Sequence, residues 1–112
     1  MYLFVKLWTP KPSWEDLPQE KRISFIKKAQ EMMQSVSERG LETVGWIEID
    51  SDSTIHNSGY QYCSVYKTPS KESANEFNVS MQKFGWYDYF DQINATGQLQ
   101  SPGAVLAKVV SS

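Results

Sequence analysis

The chain has 112 residues, 40% of them hydrophobic and 13% aromatic, with 11 basic and 13 acidic side chains and a formal net charge of −2. That length holds one core and predicts a single domain over residues 1–112, and the apolar content excludes a disordered chain. The slight acidity leaves no general cationic field for a phosphate backbone or an anionic membrane, and no apolar run approaches the roughly 20 residues that cross a bilayer.

Residues 2–8 alternate, with Leu3, Val5 and Leu7 on one side and Tyr2, Phe4, Lys6 and Trp8 on the other, which is the period of a strand. The opening "MYLFVKLW" is too short for a secretion signal and lacks its leading charges, so a cytoplasmic location is expected. After the break "TPKPS", Asp16 is placed to cap a helix with Pro18 in its first turn and Gln19 completing a capping box. Ile23, Ile26, Ala29, Met33 and Val36 recur at helical spacing until Gly40. A second strand is expected over residues 42–50 and a third over 60–67, joined by "SDSTIHNSG" as a hairpin. Ser70 can cap a second helix whose Ala74, Phe77, Met81 and Phe84 share a face until Gly85 ends it. "FGWYDYFDQINATG" begins at Phe84 with five rings in seven residues, and Trp86, Phe90 and Ile93 suggest a further short helix lying across one end of the sheet as a lid or plug. Residues 104–110 read as the last strand.

The order β-α-β-β-α-β is that of the ferredoxin-like α+β fold, a four-stranded antiparallel sheet with both helices on one face. Strands one and three are central in that topology. With Leu3, Val5 and Leu7 assigned to the helices, the bare face receives Phe4, Lys6 and Trp8 together with Tyr62, Ser64 and Tyr66. Val44, Trp46 and Glu48 join from strand two, Leu106 and Lys108 from strand four. A bare face this aromatic calls for a cover.

The cover can be a second copy. The segments "YLFVKLW", "LPQEKRISFI" and "FGWYDYF", in this element order, resemble the dimeric α/β-barrel superfamily, which includes cofactor-independent antibiotic-biosynthesis monooxygenases and muconolactone-isomerase-like proteins. The resemblance spans nearly the whole chain and implies a homodimer formed through the open sheet face, a small-molecule cavity in the barrel, and monooxygenase or isomerase chemistry without a cofactor. An alternative cover is single-stranded RNA: "SGYQYCSVY" matches the strand-three signature of an RNA-recognition motif at Gly59, Tyr60 and Tyr62, and departs from it at Ser58 and Gln61. The acidic balance argues against nucleic acid. A third is a non-catalytic dimer or another protein partner.

Inside such a barrel, Phe4, Trp8, Trp46, Tyr62 and Tyr66 would stack on a planar molecule, with Trp86 turned inward from the short helix and Tyr87 and Tyr89 either sending a hydroxyl into the cavity mouth or packing on the partner subunit. Lys6 and Lys108 would favour an anionic or enolic ligand, and Glu48 or one of the tyrosines could accept or supply a proton. The residues themselves define no catalytic set. Each has a blander role beside the functional one: an aromatic stripe is more often dimer core, and a strand Glu more often pairs with a Lys. His56 lies in the hairpin loop with no second histidine nearby, so no metal is expected, and it could ligate haem axially only if the loop folded inward. Cys63 has no partner for an intrachain disulfide and is expected to face the helices beside Val65 as a small hydrophobe.

Overall fold

In β1 (Tyr2–Pro10) the period-two pattern buries Phe4, Lys6 and Trp8 and leaves Leu3, Val5 and Leu7 partly exposed on the other side. The computed structural model describes residues 1–52 and 55–112, so Ser53 and Thr54, in the expected hairpin loop, lie outside the described residues. β1 pairs antiparallel with both β3 (Tyr62–Thr68) and β4 (Phe90–Gln98), and β2 (Glu42–Glu48) pairs antiparallel with β3, giving the order β2-β3-β1-β4. A register shift between Thr43 and Gly45 throws Val44 out of the ladder, where it is about half exposed.

One face of this open sheet is covered. α1 (Pro12–Glu15) and α2 (Gln19–Ser37) follow β1, and α3 (Lys71–Phe84) and α4 (Trp86–Tyr89) lie between β3 and β4. From these helices Val36, Phe77, Met81 and Trp86 pack on Phe4, Trp8, Tyr66 and Phe90 of the strands. α3 follows its sequence signals: the Ser70 hydroxyl accepts from the Ser73 N–H at 3.2 Å, and Gly85, at φ 98°, closes the helix in the left-handed region. α2 does not. Its cap is Pro18, with no side-chain bond, while Asp16 ends α1 instead. The turn is held by the Arg22 guanidinium, which donates to the carbonyls of Leu17 at 3.0 Å and Glu15 at 2.8 Å.

The face assignment from sequence is inverted. Phe4, Lys6, Trp8, Tyr62, Ser64 and Tyr66 point into the helix layer, and Leu3, Val5, Leu7, Cys63 and Val65 line the other face. Both sides of β1 are apolar, so alternation alone cannot orient it. Burial decides, because each ring removes roughly 150–250 Å² from water, more than an aliphatic side chain does.

Two further expectations change. The segment after α4 is a strand, β4, so the short helix stops at Tyr89 and Ile93 belongs to the sheet. The chain end is a helix, α5 (Pro102–Ser111), begun by Ser101, whose hydroxyl accepts from Ala104 N–H at 3.2 Å, so residues 104–110 are not the fourth strand. β4 escapes an apolar search because its alternating inward set, Phe90, Gln92, Asn94, Thr96 and Gln98, is mostly polar. α5 is exposed throughout and stands beside the bare face, where Val105 shares a surface pocket with Leu3 and Val5. Ile47 and Ile93 on that face are at half exposure or more.

Candidate functional site

Lys6 sits at the middle of the central strand, opposite Ser64 of β3 and Asn94 of β4, and is only 1% exposed. Four rings surround its ammonium: the Nζ atom lies 4.9 Å from the ring centre of Phe77, 5.2 Å from Tyr66, 5.7 Å from Trp86 and 5.9 Å from Trp46. Ring faces attract a cation but replace only part of its lost hydration. Burial accordingly lowers the Lys6 pKa from 10.5 to about 7.

Tyr66 forms a wall of this cage and is fully buried, yet its hydroxyl has no hydrogen-bond partner. Burial pushes its ionisation up; the nearby Ser64 and Trp46 side chains act in the opposite direction, though neither is placed to complete a hydrogen bond. The Ser64 hydroxyl already accepts from the Trp8 indole N–H at 3.1 Å. Trp8 in turn stacks on Tyr62 at 4.6 Å and meets the edges of Trp46 and Trp86.

The other side of the cage is fully satisfied. Trp86 donates from its indole to Gln92 Oε1 at 2.8 Å, and the Gln92 amide donates to Asn94 Oδ1 at 2.8 Å and to the Tyr87 hydroxyl at 3.2 Å. That hydroxyl also accepts from Asn94 at 2.9 Å and donates to Asn78 Oδ1 at 3.0 Å. The contrast singles out the Tyr66 hydroxyl beside Lys6, since buried polar groups in folded proteins are nearly always paired. A surface pocket of about 500 Å³ opens beyond Tyr87, lined by Asn75, Asn78, Val79 and Gln82, and includes none of the cage rings.

The structure thus brings Lys6, Trp46, Tyr66 and Trp86 together, with Phe4 edge-on to Tyr66 at 6.5 Å and Trp8 and Tyr62 stacked beside them. Glu48 lies across from Tyr62 on the exposed end of β2. Tyr89 packs instead on Trp14 and Phe25, under the helices. Lys108 leaves the group altogether: it sits on α5 and donates to Gln100 Oε1 at 3.2 Å. Phe77, Ser64 and Gln92 also belong to the site, beyond the residues expected from the sequence. Phe77 carried a helix-core signal, and Ser64 stood in register between Tyr62 and Tyr66. His56 is exposed on the bare-face side, in an open pocket with Leu7, Ile47 and Cys63. Cys63 lies on that face too and not under the helices, with its thiol pKa raised by burial. Among the described residues no group of three His, Cys, Asp or Glu side chains could hold a metal ion, and no helix is long and apolar enough to cross a membrane.

The chain belongs to a family of unknown function, DUF6616, whose model matches residues 1–112. Its fold is similar to that of the Arabidopsis thaliana protein At3g17210: a crystal structure of that protein superposes with a TM-score of 0.58 at 19% identity, covering 90% of this chain and 97% of the other. The solution structure of the same plant protein gives a TM-score of 0.55 at 16% identity over 89% of this chain and 88% of the other. At these identities the likeness is one of fold. Among curated proteins none matches the chain.

Proposed function

We propose that the chain is a ferredoxin-like subunit of a dimeric α/β barrel, and that the layer between its sheet and helices binds a small planar organic molecule through Lys6 and Tyr66. The observation that carries the binding site is the Tyr66 hydroxyl, buried without a hydrogen-bond partner, on a ring whose centre lies 5.2 Å from the enclosed Lys6 ammonium. Both are donors. A ligand with an acceptor oxygen, such as a carboxylate, phenolate or enolate, satisfies both and lays its ring against Trp46 and Trp86. The superfamily resemblance adds monooxygenase or isomerase turnover of such a ligand to this reading.

Assembly rests on different observations. The accessible surface is 7736 Å², about 1,400 Å² above the value typical of a monomer of this mass. The radius of gyration, 15.9 Å, exceeds the roughly 13 Å of a compact chain of this length. A second copy closing the aliphatic face would bury about twice that excess in total, within the range of obligate homodimers. The RNA reading loses its platform, because the rings it needs are turned into the helix layer.

Titration with salicylate tests the binding site. Quenched tryptophan fluorescence and a raised melting temperature are expected in the parent protein, and Lys6→Met should weaken binding at least ten-fold while keeping most of the stem volume. An unchanged melting temperature and fluorescence up to millimolar salicylate and its planar aromatic homologues would leave the rings as core alone and favour a non-catalytic dimer.

A further inference from the structure

We propose that Lys6 is an imine-forming amine, and that the molecule it captures is a planar aromatic aldehyde or ketone; the inference rests on the binding site argued above and specifies its chemistry. A lysine kept for its charge has a carboxylate beside it. Lys6 has four rings around its ammonium and forms no ion pair among the described residues. The titratable side chains on the same sheet face are Tyr2, Tyr62, Tyr66 and Glu48, and Tyr87 of α4 reaches Asn94, the strand neighbour of Lys6. Glu48 is exposed, and the charged residues of α3 (Lys71, Glu72, Glu76 and Lys83) are exposed as well. Such an enclosure favours the neutral, nucleophilic form of the amine, in line with its lowered pKa.

The second observation is the orphan hydroxyl. A carbonyl oxygen delivered to Lys6 would give Tyr66 the acceptor it lacks, and the raised ionisation of Tyr66 keeps the donated proton in place. The third is access. Of the four caging rings only Trp46 is substantially exposed, at 46%, against 4% or less for Tyr66, Phe77 and Trp86. Trp46 stands at the solvent edge on β2, edge-on to Trp8 and Tyr66, and is the caging ring past which a ligand would reach Lys6.

The step balances without a redox partner. The Lys6 nitrogen lone pair forms a C–N bond to the carbonyl carbon, and the carbonyl oxygen, held by the Tyr66 hydroxyl, takes up the proton that the nitrogen releases. The resulting carbinolamine then loses its hydroxyl, which takes the Tyr66 proton and leaves as water while the nitrogen lone pair closes the C=N bond, and the iminium nitrogen gives up its remaining proton to restore Tyr66. One amine and one carbonyl compound give one imine and one water.

The experiment treats the full-length protein at pH 7 with salicylaldehyde and sodium cyanoborohydride and maps the reduced adducts by peptide mass spectrometry. The chain has nine lysines, which serve as internal controls for one another. Labelling of Lys6 at least about ten-fold above the median of the other eight is expected, with a rate that rises as pH passes through about 7. Lys6→Arg should abolish that adduct. Salicylate, which has the same ring but cannot condense, separates the two readings. If salicylate binds and Lys6 is labelled no more than the other lysines, the imine is refuted and the binding site stands. If salicylate does not bind and Lys6 is not labelled, both fall.

Discussion

At the scale of single residues, Lys6 controls the pH dependence of stability. Its folded pKa of about 7 lies below the 10.5 of an exposed lysine, so between those values the unfolded chain binds the extra proton and stability rises with pH. Opposing terms enter higher up, because the Cys63 thiol and the Tyr66 hydroxyl have raised folded values and lose stability above about 9 and 10 respectively. The parent protein should therefore gain about 2 kcal/mol between pH 7 and 9. Lys6→Met should flatten that slope and raise the melting temperature at pH 7. Urea unfolding at several pH values checks both, and a slope that survives Lys6→Met would assign it to other groups. Gln92 has the opposite character. It joins the Trp86 indole to Tyr87 and Asn94, and Gln92→Leu should cost about 1–3 kcal/mol by leaving buried partners unpaired, measured as a fall in the urea midpoint.

At the scale of elements, the junction between α3 and β4 is held from two directions. Gly85 turns the chain at φ 98°, and the β1–α1 turn grips α4 from below: Lys11 donates through its ammonium to the Tyr87 carbonyl at 2.7 Å, and Ser13 to the Asp88 carbonyl at 2.7 Å. This fixes Trp86 flat on Phe90, with ring centres 4.0 Å apart, and so forms one wall of the lysine cage. Gly85→Ala forces a Cβ into the left-handed region and within 3.2 Å of an Asp88 carboxylate oxygen. A loss of about 1–2 kcal/mol is expected in chemical denaturation. The Asp88 side chain can move aside, so the cost is one of backbone strain. The caps of α3 were legible because they act locally. The start of α2 was misread because Asp16 satisfied every local rule for a cap, yet Pro18 and the Arg22 tie to Glu15 and Leu17 set the boundary two residues later.

At the scale of the molecule, the two faces of β1 make opposite predictions for adjacent residues. Phe4 is 1% exposed and packed edge-on to Tyr66 and Phe77, so Phe4→Asp buries an unpaired charge in the core and should unfold the chain. Val5 lies on the bare face, and Val5→Asp should keep the near-ultraviolet circular dichroism of the rings while converting a dimer to a monomer in analytical ultracentrifugation. A parent protein that sediments as a monomer at micromolar concentration would refute the dimer. α5, rich in exposed Val and Leu, belongs to the same surface. Its removal should weaken association and leave the lysine cage intact, as judged by the cyanoborohydride labelling of Lys6.

The sequence by itself determined the elements whose signals are local: β1, β3 and α3, with the Ser70 and Gly85 ends of that helix, and the grouping of Lys6 with Phe4, Trp8, Tyr62 and Tyr66, because strand period fixes which residues share a side. It did not determine which side the helices cover, since both sides of β1 are apolar and only the summed burial of rings from α2, α3 and α4 breaks the tie. β4 and α5 were likewise decided by tertiary structure. The Gln92-Asn94-Thr96 alternation has no apolar signature and becomes a strand by pairing with β1, which consumes the sheet edge that residues 104–110 would have needed. The consequence for the site is direct: Lys6 was expected on the sheet face that a second copy closes, and packing within one chain encloses it among four rings, which turns an ordinary charged lysine into an amine poised near neutrality.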